Sequence, residues 1–474
     1  MNNTLSQGSL SAPTWIWYPG DFEIVLANKV QNRRAERGTF FPVFWKLDNH
    51  YVLMDFHKVV EVPAPETVDI YVEGEYHVKL DGKAFEGSPK QIVVPAGKHK
   101  INIKVFNQAN VPAIYVKGET IFSDSSWLVT FEDKEWIDET GKASDISATK
   151  WVSAGSSNFN SPAQLPSQFM LPTKKQEAVA VTKGKQSMLV DFGKETFGFI
   201  QLHGLVGKGN LSVYYGESEP EALSAEHCET LDRLEVDNPS KNDYVMNLSK
   251  AYRFVHVQYD EGVMLDSVSM LYEYADVKER GSFTCDDAEV NRIYEVAKYT
   301  FELNTREFFI DGIKRDRWIW SGDAYQSYLM NYYLYFDNET VKRTTYALRG
   351  KDPITGHINT IMDYTFYWFL GIYDYYLYTG DRSFITQIYD RMKSLMDYVL
   401  ARRNKNGLME WLPGDWIFID WATGLSKKGE VSFEQLLLAR SLETMALCAN
   451  IVGDKDGASN YNQLSGDMRK KLFE

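Results

Sequence analysis

The spacing of apolar residues changes once along this chain, near Asp286, and this change constrains the fold more than any other feature. Before it, short alternating or apolar runs are separated by turn residues, as in the segments VDIYVEGEYHVKL and NLSVYYGES. Runs of this kind indicate β-strands. After it, apolar residues recur at the spacing of one helix face. The sequence therefore predicts β domains followed by a helical domain.

The β region is predicted to contain two domains joined by a polar connector. Residues 1–14 are small and polar and are predicted to form a disordered tail. Residues 15–129 carry strand signals and are predicted to form an N-terminal β-sandwich. Residues 130–177 have few periodic apolar positions and are predicted to be a connecting segment. Strand signals resume over residues 178–278, which are predicted to form a second β-sandwich.

Residues 279–474 are predicted to be helical. Asp286 and Asp287 can cap a first helix, whose apolar residues Val290 and Ile293 fall on one stripe that is predicted to be buried. Six further helices are predicted at Ala324–Tyr335, Thr340–Leu348, Tyr364–Tyr378, Arg382–Arg402, Ser432–Ile451 and Ser459–Phe473. Successive helices with short links indicate an α-hairpin toroid or bundle.

Composition and charge exclude several classes of protein. Lysine and arginine number 51 and aspartate and glutamate 65, so the formal net charge is −14. This acidic balance lacks the basic footprint that nucleic acids require, and no stretch approaches the roughly 20 apolar residues of a membrane span. The three cysteines and eight histidines show no metal-binding spacing, so no metal and no cofactor are predicted. The first residues lack a signal-peptide pattern, which leaves a cytoplasmic protein or a periplasmic or secreted mature form.

The densest cluster of reactive side chains is the segment FFIDGIKRDRWIWSGDAY, residues 308–325. Charged residues cover every face of a turn here, so the segment is predicted to be a structured loop before a helix that begins near Gly322. One interpretation is structural, with ion pairs tying the loop down and tryptophans filling the core. The other is a sugar site, because carboxylates and arginine bind hydroxyl groups while aromatic rings cover the apolar faces of sugars.

Cleavage of a glycosidic bond requires two carboxyl groups with different roles. One protonates the leaving oxygen, and the other activates water or attacks the anomeric carbon. Asp311, Asp316 and Asp323 can supply the first of these groups and two that hold substrate hydroxyls. A phosphorylated ligand would be repelled by the same charges.

The segment DGIKRDRWIWSGD, residues 311–323, resembles the signature D-x-x-x-R-[DE]-x-x-x-W-x-G-D of the inverting α-L-rhamnosidases. The segments DFGKETFGFIQL and GDWIFIDW also resemble parts of that family. The resemblance implies a multidomain all-β plus all-α protein, with two jelly-roll-like β-sandwich domains followed by part of an (α/α)6 barrel, whose N-terminal part would be residues 279–474. The implied reaction is hydrolysis of terminal α-L-rhamnosyl groups from glycans or glycosides with inversion, and the implied partner is a rhamnose-containing carbohydrate.

The same resemblance implies roles for individual residues. Asp316 would be the general acid, while Asp311 and Asp323 would bind rhamnose hydroxyls. Arg315 and Trp320 would line the pocket. The indole of Trp318, in the same loop, is also predicted to contact substrate.

A second candidate cluster is EWLPGDWIFIDW, residues 410–421. Here Asp415 and Trp416 are predicted to bind substrate, the acid through hydroxyl groups and the indole by stacking. The alternative is that Asp415 caps a helix while the tryptophans seal the core. On the predicted helix at residues 364–378, an aromatic run is predicted to be core, with Tyr364 and Trp368 as the two candidates for substrate contact.

The chain departs from the family pattern in two ways. Most members carry glutamate at the acid position, and Asp316 is one methylene shorter. In the family, the water-activating glutamate lies a few hundred residues after the acid, whereas this chain ends at Glu474, and seven helices are predicted where a closed barrel has twelve. The chain is therefore expected to be part of a longer protein and to hydrolyse little alone. A noncatalytic carbohydrate-binding protein, or another helical-toroid glycosidase or lyase, remains the alternative, and the oligomeric state stays open.

Overall fold

The computed structural model describes residues 12–31, 35–36, 39–40, 48–131 and 150–473. Most of the predicted tail and part of the predicted connector, residues 1–11 and 132–149, lie outside the described residues. The last tail residue, Thr14, is ordered, since its side chain is buried and its hydroxyl donates a hydrogen bond to the Ser157 carbonyl at 2.7 Å.

Strands dominate the first half of the chain and helices the second. The strands are β1 (Ile16–Trp17), β2 (Ala35–Glu36), β3 (Thr39–Phe40), β4 (Leu53–Val62), β5 (Glu66–Glu73), β6 (Glu75–Leu80), β7 (Lys83–Ala84), β8 (Gln91–Val94), β9 (Gly97–Phe106), β10 (Ala113–Lys117), β11 (Leu128–Phe131), β12 (Val152–Ser153), β13 (Gly155–Ser156), β14 (Thr173–Glu177), β15 (Ala180–Lys183), β16 (Ser187–Gly216), β17 (Thr230–Val245), β18 (Lys250–Tyr259), β19 (Val263–Met264) and β20 (Ser267–Glu273). The helices are α1 (Asp21–Gln31), α2 (Glu219–Leu223), α3 (Ala288–Asn304), α4 (Ser321–Leu334), α5 (Asn338–Arg349), α6 (Met362–Thr379), α7 (Arg382–Ala401), α8 (Ser432–Val452) and α9 (Lys455–Phe473).

These elements form two compact units. The first comprises Met1–Leu26, Leu47–Met170 and Thr386–Asp390, and the second Ala27–Lys46, Leu171–Ile385 and Arg391–Glu474. The second unit therefore contains both the later strands and most of the helical region, and it includes every residue singled out as a candidate for chemistry.

The first unit is a β-sandwich. One sheet has the strand order β13-β1-β10-β5-β8 and the other β12-β11-β4-β9-β6-β7. Alternate residues of each strand point inward, so that Phe56 and Ile103 of one sheet meet Ile70 and Ile114 of the other in a single core. The alternation seen in the sequence is thus the inner face of the sandwich.

Two features of this unit differ from the sequence prediction. Helix α1 lies where strands were expected, and it begins after the turn at Pro19-Gly20, where the buried Asp21 accepts a hydrogen bond from the Tyr51 amide at 2.8 Å. In addition, β12 and β13 fall inside the predicted connector and pair with β11 and β1. Two-residue strands carry too few alternating positions to be recognised from sequence.

Strands β14 to β20 of the second unit form one sheet that is folded on itself. Strand β16 is 30 residues long, and β18 lies between its two halves, since Val255 pairs with both Val190 and Tyr215. Strand β14, also inside the predicted connector, pairs with β20 at the sheet edge. The folded sheet encloses an apolar core, and we refer to it as the folded-sheet domain.

The seven predicted helices are confirmed as α3 to α9 in the described residues. Helices α4 and α6 run parallel, because the rings of Tyr325 and Tyr367 stack near their starts and those of Tyr332 and Tyr378 near their ends. Helix α6 also packs against α8, where the Arg440 guanidinium lies 4.1 Å from the centre of the Tyr373 ring. No helix in the described part of the chain is long and apolar enough to cross a membrane.

Helix α3 begins as predicted but presents a different face. Asp287 caps it by accepting hydrogen bonds from the amides of Glu289 and Val290 at 2.8 and 3.2 Å. The stripe that was predicted to be buried is instead exposed, with Ile293 at 59%. The prediction was wrong because α3 packs on the folded-sheet domain through Leu303 and Tyr299 near its other end.

Candidate active site

The acidic loop predicted before α4 is a closed turn in the structure. The Asp311 amide donates to the Trp318 carbonyl at 3.1 Å, and the Trp318 amide donates to the Asp311 carboxylate at 2.9 Å. This reciprocal pair fixes both ends of residues 311–318, which we call the acid loop. Helix α4 follows at Ser321, one residue before the predicted start near Gly322.

Three carboxyl groups converge at this loop. Burial raises the pKa of Asp311 to about 7, against the hydrogen bond from Trp318, and the charges of Asp316 and Asp323 raise it further. Burial also raises the pKa of Asp323, with a further contribution from Asp316. Asp311 is thus the member of the three that keeps its proton up to about pH 7. The structure thus brings together the three aspartates singled out from the sequence.

The start of helix α6 completes one side of this cluster. The Tyr364 hydroxyl donates to Asp323 at 3.3 Å, and the Tyr364 ring lies edge-on to Trp320, with centroids 6.1 Å apart. Tyr364, a candidate from the aromatic run, is therefore adjacent to the carboxyl groups. In the described residues no group of three or more potential ligands is arranged to hold a metal ion.

The two indoles of the segment, those of Trp318 and Trp320, are both buried in this structure. Trp318 also joins the two ends of the acid loop through its backbone. Contact of either ring with a substrate stays a prediction.

Arg315 lies on the outer side of the acid loop. Its side chain is 76% exposed, and its Nε lies 3.3 Å from the Glu229 carboxylate of the folded-sheet domain. The sequence could not indicate this partner, which is 86 positions away in the chain. A pocket-lining role for Arg315 stays a prediction.

The second candidate cluster lies beside the first. At the start of α6, the Trp416 amide donates to the Thr360 carbonyl at 3.1 Å, and the Met362 amide donates to the Trp416 carbonyl at 2.8 Å. The rings of Phe418 and Tyr364 have centroids 5.9 Å apart. Residues that are about 100 positions apart in sequence therefore share one end of the helical region, and Trp416 is partly exposed there.

Asp415 itself is held by Arg402. Both carboxylate oxygens accept hydrogen bonds from one guanidinium nitrogen, at 2.7 and 2.8 Å. The Asp415 side chain is almost fully buried. The structure therefore assigns Asp415 an ion pair at the end of α7, rather than the helix cap considered from the sequence, and its binding of substrate stays a prediction.

We expect the substitution Asp415→Asn to weaken the fold more than it weakens sugar binding. Losing one partner of a buried ion pair leaves Arg402 uncompensated, which costs about 3 kcal/mol. Thermal unfolding and L-rhamnose titration of the same variant measure the two effects. An unchanged unfolding midpoint with a tenfold loss of rhamnose affinity would instead favour the substrate-binding role.

Trp368 packs against helix α5. Its side chain is only 2% exposed, and its indole N–H donates to the Thr345 carbonyl of α5 at 2.9 Å. Trp368 is thus buried in the core, as the rest of the aromatic run was predicted to be, and its contact with substrate stays a prediction.

Two acidic residues near the site were missed by the sequence reasoning. Asp363, in the first turn of α6, is buried and accepts hydrogen bonds from the Phe418 and Ile419 amides at 3.3 and 2.7 Å. Glu434, in the first turn of α8, is 1% exposed, and neither carboxyl oxygen has a hydrogen-bond partner. Burial and the charge of Asp363 raise the pKa of Glu434 to about 9. Acidic residues are common in first turns, so the sequence pattern did not distinguish these two.

Comparison with known families gives two matches that together span most of the chain. The family described as alpha-rhamnosidase-like, bacteroidetes, N-terminal, matches residues 54–257. The bacterial alpha-L-rhamnosidase 6 hairpin glycosidase domain matches residues 278–474. The second match contains the acid loop and all of helices α3 to α9.

Similar proteins point to the same family. A curated alpha-L-rhamnosidase of Formosa agariphila is 27% identical over 183 residues, which are 33% of this chain and 19% of that protein. A solved GH78 family rhamnosidase of Bacillus sp. GL1 has a TM-score of 0.53 at 17% identity, and the match covers 89% of this chain and 52% of that one. A Klebsiella oxytoca rhamnosidase solved with rhamnose bound has the same TM-score and identity, with coverage of 64% and 70%. The chain thus spans about half the length of the Bacillus protein and about a fifth of the curated relative.

Proposed function

We propose, from the premise that this chain belongs to the α-L-rhamnosidase-like glycoside hydrolases, that its acid loop binds a terminal α-L-rhamnosyl group and protonates the leaving oxygen. The observation that carries this proposal is the convergence of Asp311, Asp316 and Asp323 beside Tyr364 at the start of α4. Three carboxyl groups at one place can supply the proton donor and the hydroxyl-binding groups that the first step of glycoside hydrolysis needs.

In this proposal each carboxyl group has a separate role. Asp316 is the general acid, and Asp311 and Asp323 accept hydrogen bonds from rhamnose hydroxyls. Each of the two binding residues is held by a hydrogen bond. Asp311 accepts one from the Trp318 amide, and Asp323 accepts one from the Tyr364 hydroxyl. A neutral sugar brings no charge close to the three carboxyl groups, whereas an anionic substrate would be repelled by them.

We further propose the inverting course and the barrel architecture that the sequence resemblance implies. Inversion requires a second carboxylate about 6.5–9.5 Å from the acid, on the opposite face of the sugar ring, to activate water. In the family pattern this base follows the acid by a few hundred residues. The parallel helices α4, α6 and α8, whose first turns meet at the site, would be inner helices of an (α/α)6 barrel, preceded by two β-sandwich domains.

The pKa of Asp311 predicts the pH dependence of the reaction. An acidic group with a raised pKa keeps its proton up to that pKa, so Asp311 is neutral below about pH 7 and charged above it. We expect kcat/KM to fall as pH rises through about 7, because a charged Asp311 must lose its remaining water when the sugar binds. Asp311→Asn stays neutral and should remove this alkaline limb, along with much of the substrate affinity. A kcat/KM that stays constant to pH 9 would contradict this assignment.

The experiment that tests the proposed function compares the full protein encoded by the gene with residues 1–474. We expect the full encoded protein to hydrolyse 4-nitrophenyl α-L-rhamnoside, with the β-anomer of rhamnose as the first product by NMR. Residues 1–474 alone should bind L-rhamnose but turn over little. Release of the α-anomer would contradict inversion. Rhamnose binding without turnover in both forms would favour the noncatalytic carbohydrate-binding alternative.

A further inference from the structure

The acid loop packs against the folded-sheet domain. Ile310 and Ile313 are buried in the core of that domain, together with residues of β16, β18 and β20. The loop is thus anchored to the sheet at Ile313, while the charge of its Asp316 acts on Asp311 and Asp323. Apolar packing alone does not fix the rotation of such a loop, because it has no directionality.

Directional contacts to the same domain are made by the cations of the loop. The Lys314 ammonium lies 3.0 Å from Glu217, 2.9 Å from Glu221 and 3.6 Å from Glu229. Arg315 also pairs with Glu229. The Lys314 side chain is largely buried, so this cluster is less screened by solvent than a surface ion pair. The three carboxylates around Lys314 belong to α2 and to the loops that precede and follow α2.

Arg317 provides the contact nearest to the acid. It is 3% exposed, and its guanidinium donates to the Ser249 carbonyl, at the start of β18, at 3.2 Å. Its φ of +46° lies in the left-handed region, which costs a non-glycine residue about 1–2 kcal/mol. In this conformation Arg317 contacts the folded-sheet domain directly after Asp316, whose charge acts on Asp311 and Asp323.

We propose that Lys314 and Arg317 are positioning residues, through which the folded-sheet domain holds the Asp316 carboxyl in place for proton transfer. This inference rests on the proposed function. It gives the second β domain a role in catalysis that needs no contact between that domain and the sugar. The two residues act from either side of Asp316, so that losing either one lets the acid turn away from the leaving oxygen.

The chemistry of the leaving group separates positioning of an acid from general damage to the site. An alkyl leaving group needs the proton to depart, whereas 4-nitrophenolate departs without one. Displacement of Asp316 should therefore reduce kcat for an alkyl α-L-rhamnoside much more than kcat for 4-nitrophenyl α-L-rhamnoside. A change that only weakens the fold should reduce both rates equally.

The test uses the full encoded protein with Lys314→Met, Arg317→Met and the conservative Lys314→Arg. The matched control is Lys208→Met, because Lys208 pairs with Asp237 at 3.4 Å on the same domain and its side chain is 80% exposed. We expect both methionine variants to lose at least tenfold more kcat on the alkyl than on the nitrophenyl substrate, with KM within twofold. Lys314→Arg should restore most of the loss, and Lys208→Met should behave as wild type.

Asp316→Asn, measured in parallel, separates failure of this inference from failure of the proposed function. If Asp316→Asn shows the selective loss and Lys314→Met does not, the positioning role is overturned. If Asp316→Asn has no selective loss, the assignment of the acid is overturned. Should Arg317→Met fail to fold, Lys314→Met decides alone, since Lys314 lies at the edge of the interface and its methionine variant keeps the side-chain length.

Discussion

Substitution of Asp316 by asparagine is expected to reduce kcat for an alkyl α-L-rhamnoside by about 10³-fold, in line with the usual contribution of general acid catalysis. Asparagine keeps the size and hydrogen-bonding capacity of the side chain but cannot donate a proton to the leaving oxygen. Removing the charge of Asp316 also lowers the pKa values of Asp311 and Asp323, both of which that charge raises. The alkaline limb of the pH profile should therefore shift downward in the residual activity.

Two further variants make this prediction specific. Asp316→Glu introduces the longer side chain that most members of the α-L-rhamnosidase family carry at this position. We expect this variant to keep more than a tenth of the wild-type kcat. Asp286→Asn removes an exposed carboxylate at the start of the helical region and should leave kcat unchanged. Full activity of Asp316→Asn on the alkyl substrate would show that the proton comes from another group.

The second large effect is expected at Glu434, on stability rather than turnover. Its pKa is raised to about 9 in the folded chain, so this side chain is neutral when folded and ionised when unfolded at pH 8. Its contribution is fully favourable below pH of about 4.5 and is lost as pH rises toward 9. Glu434→Gln removes this dependence, and we expect it to be more stable than wild type by on the order of 3 kcal/mol at pH 8.

Thermal unfolding of both proteins at pH 5 and pH 8 measures this difference. At pH 5 the two midpoints should nearly coincide, because glutamine and protonated glutamate are close in shape and both are neutral. Glu443→Gln is the control on the same helix, where Glu443 forms ion pairs with Arg440 and Arg469, and it should not stabilise the protein at pH 8. An equal difference between Glu434→Gln and wild type at both pH values would contradict a buried, proton-retaining Glu434.

The sequence was most informative where a local pattern decides the structure. The apolar spacing after Asp286 predicted all of helices α3 to α9, and the loss of that spacing across residues 308–320 predicted the acid loop. The clustering of Asp311, Asp316 and Asp323 could be expected because a closed loop and the first turn of the next helix keep them within a short stretch. These features depend on interactions between residues that are near in sequence.

What the sequence did not reveal depends on long-range contacts. The buried environment of Glu434 arises from the packing of α8 against α6, and the burial of Trp368 arises from the packing of α6 against α5. The support behind the acid loop comes from Ser249 and Glu229, which precede the loop by more than 60 positions. Partners of this kind become visible only when the chain is folded.

A crystal structure of the Asp316→Asn variant soaked with an α-L-rhamnoside tests the central claim most directly. We predict that the rhamnosyl ring lies against the acid loop, with its hydroxyls on the carboxylates of Asp311 and Asp323 and its glycosidic oxygen within hydrogen-bond distance of residue 316. A rhamnosyl ring bound elsewhere, with these three side chains free of contact to the sugar, would contradict the account.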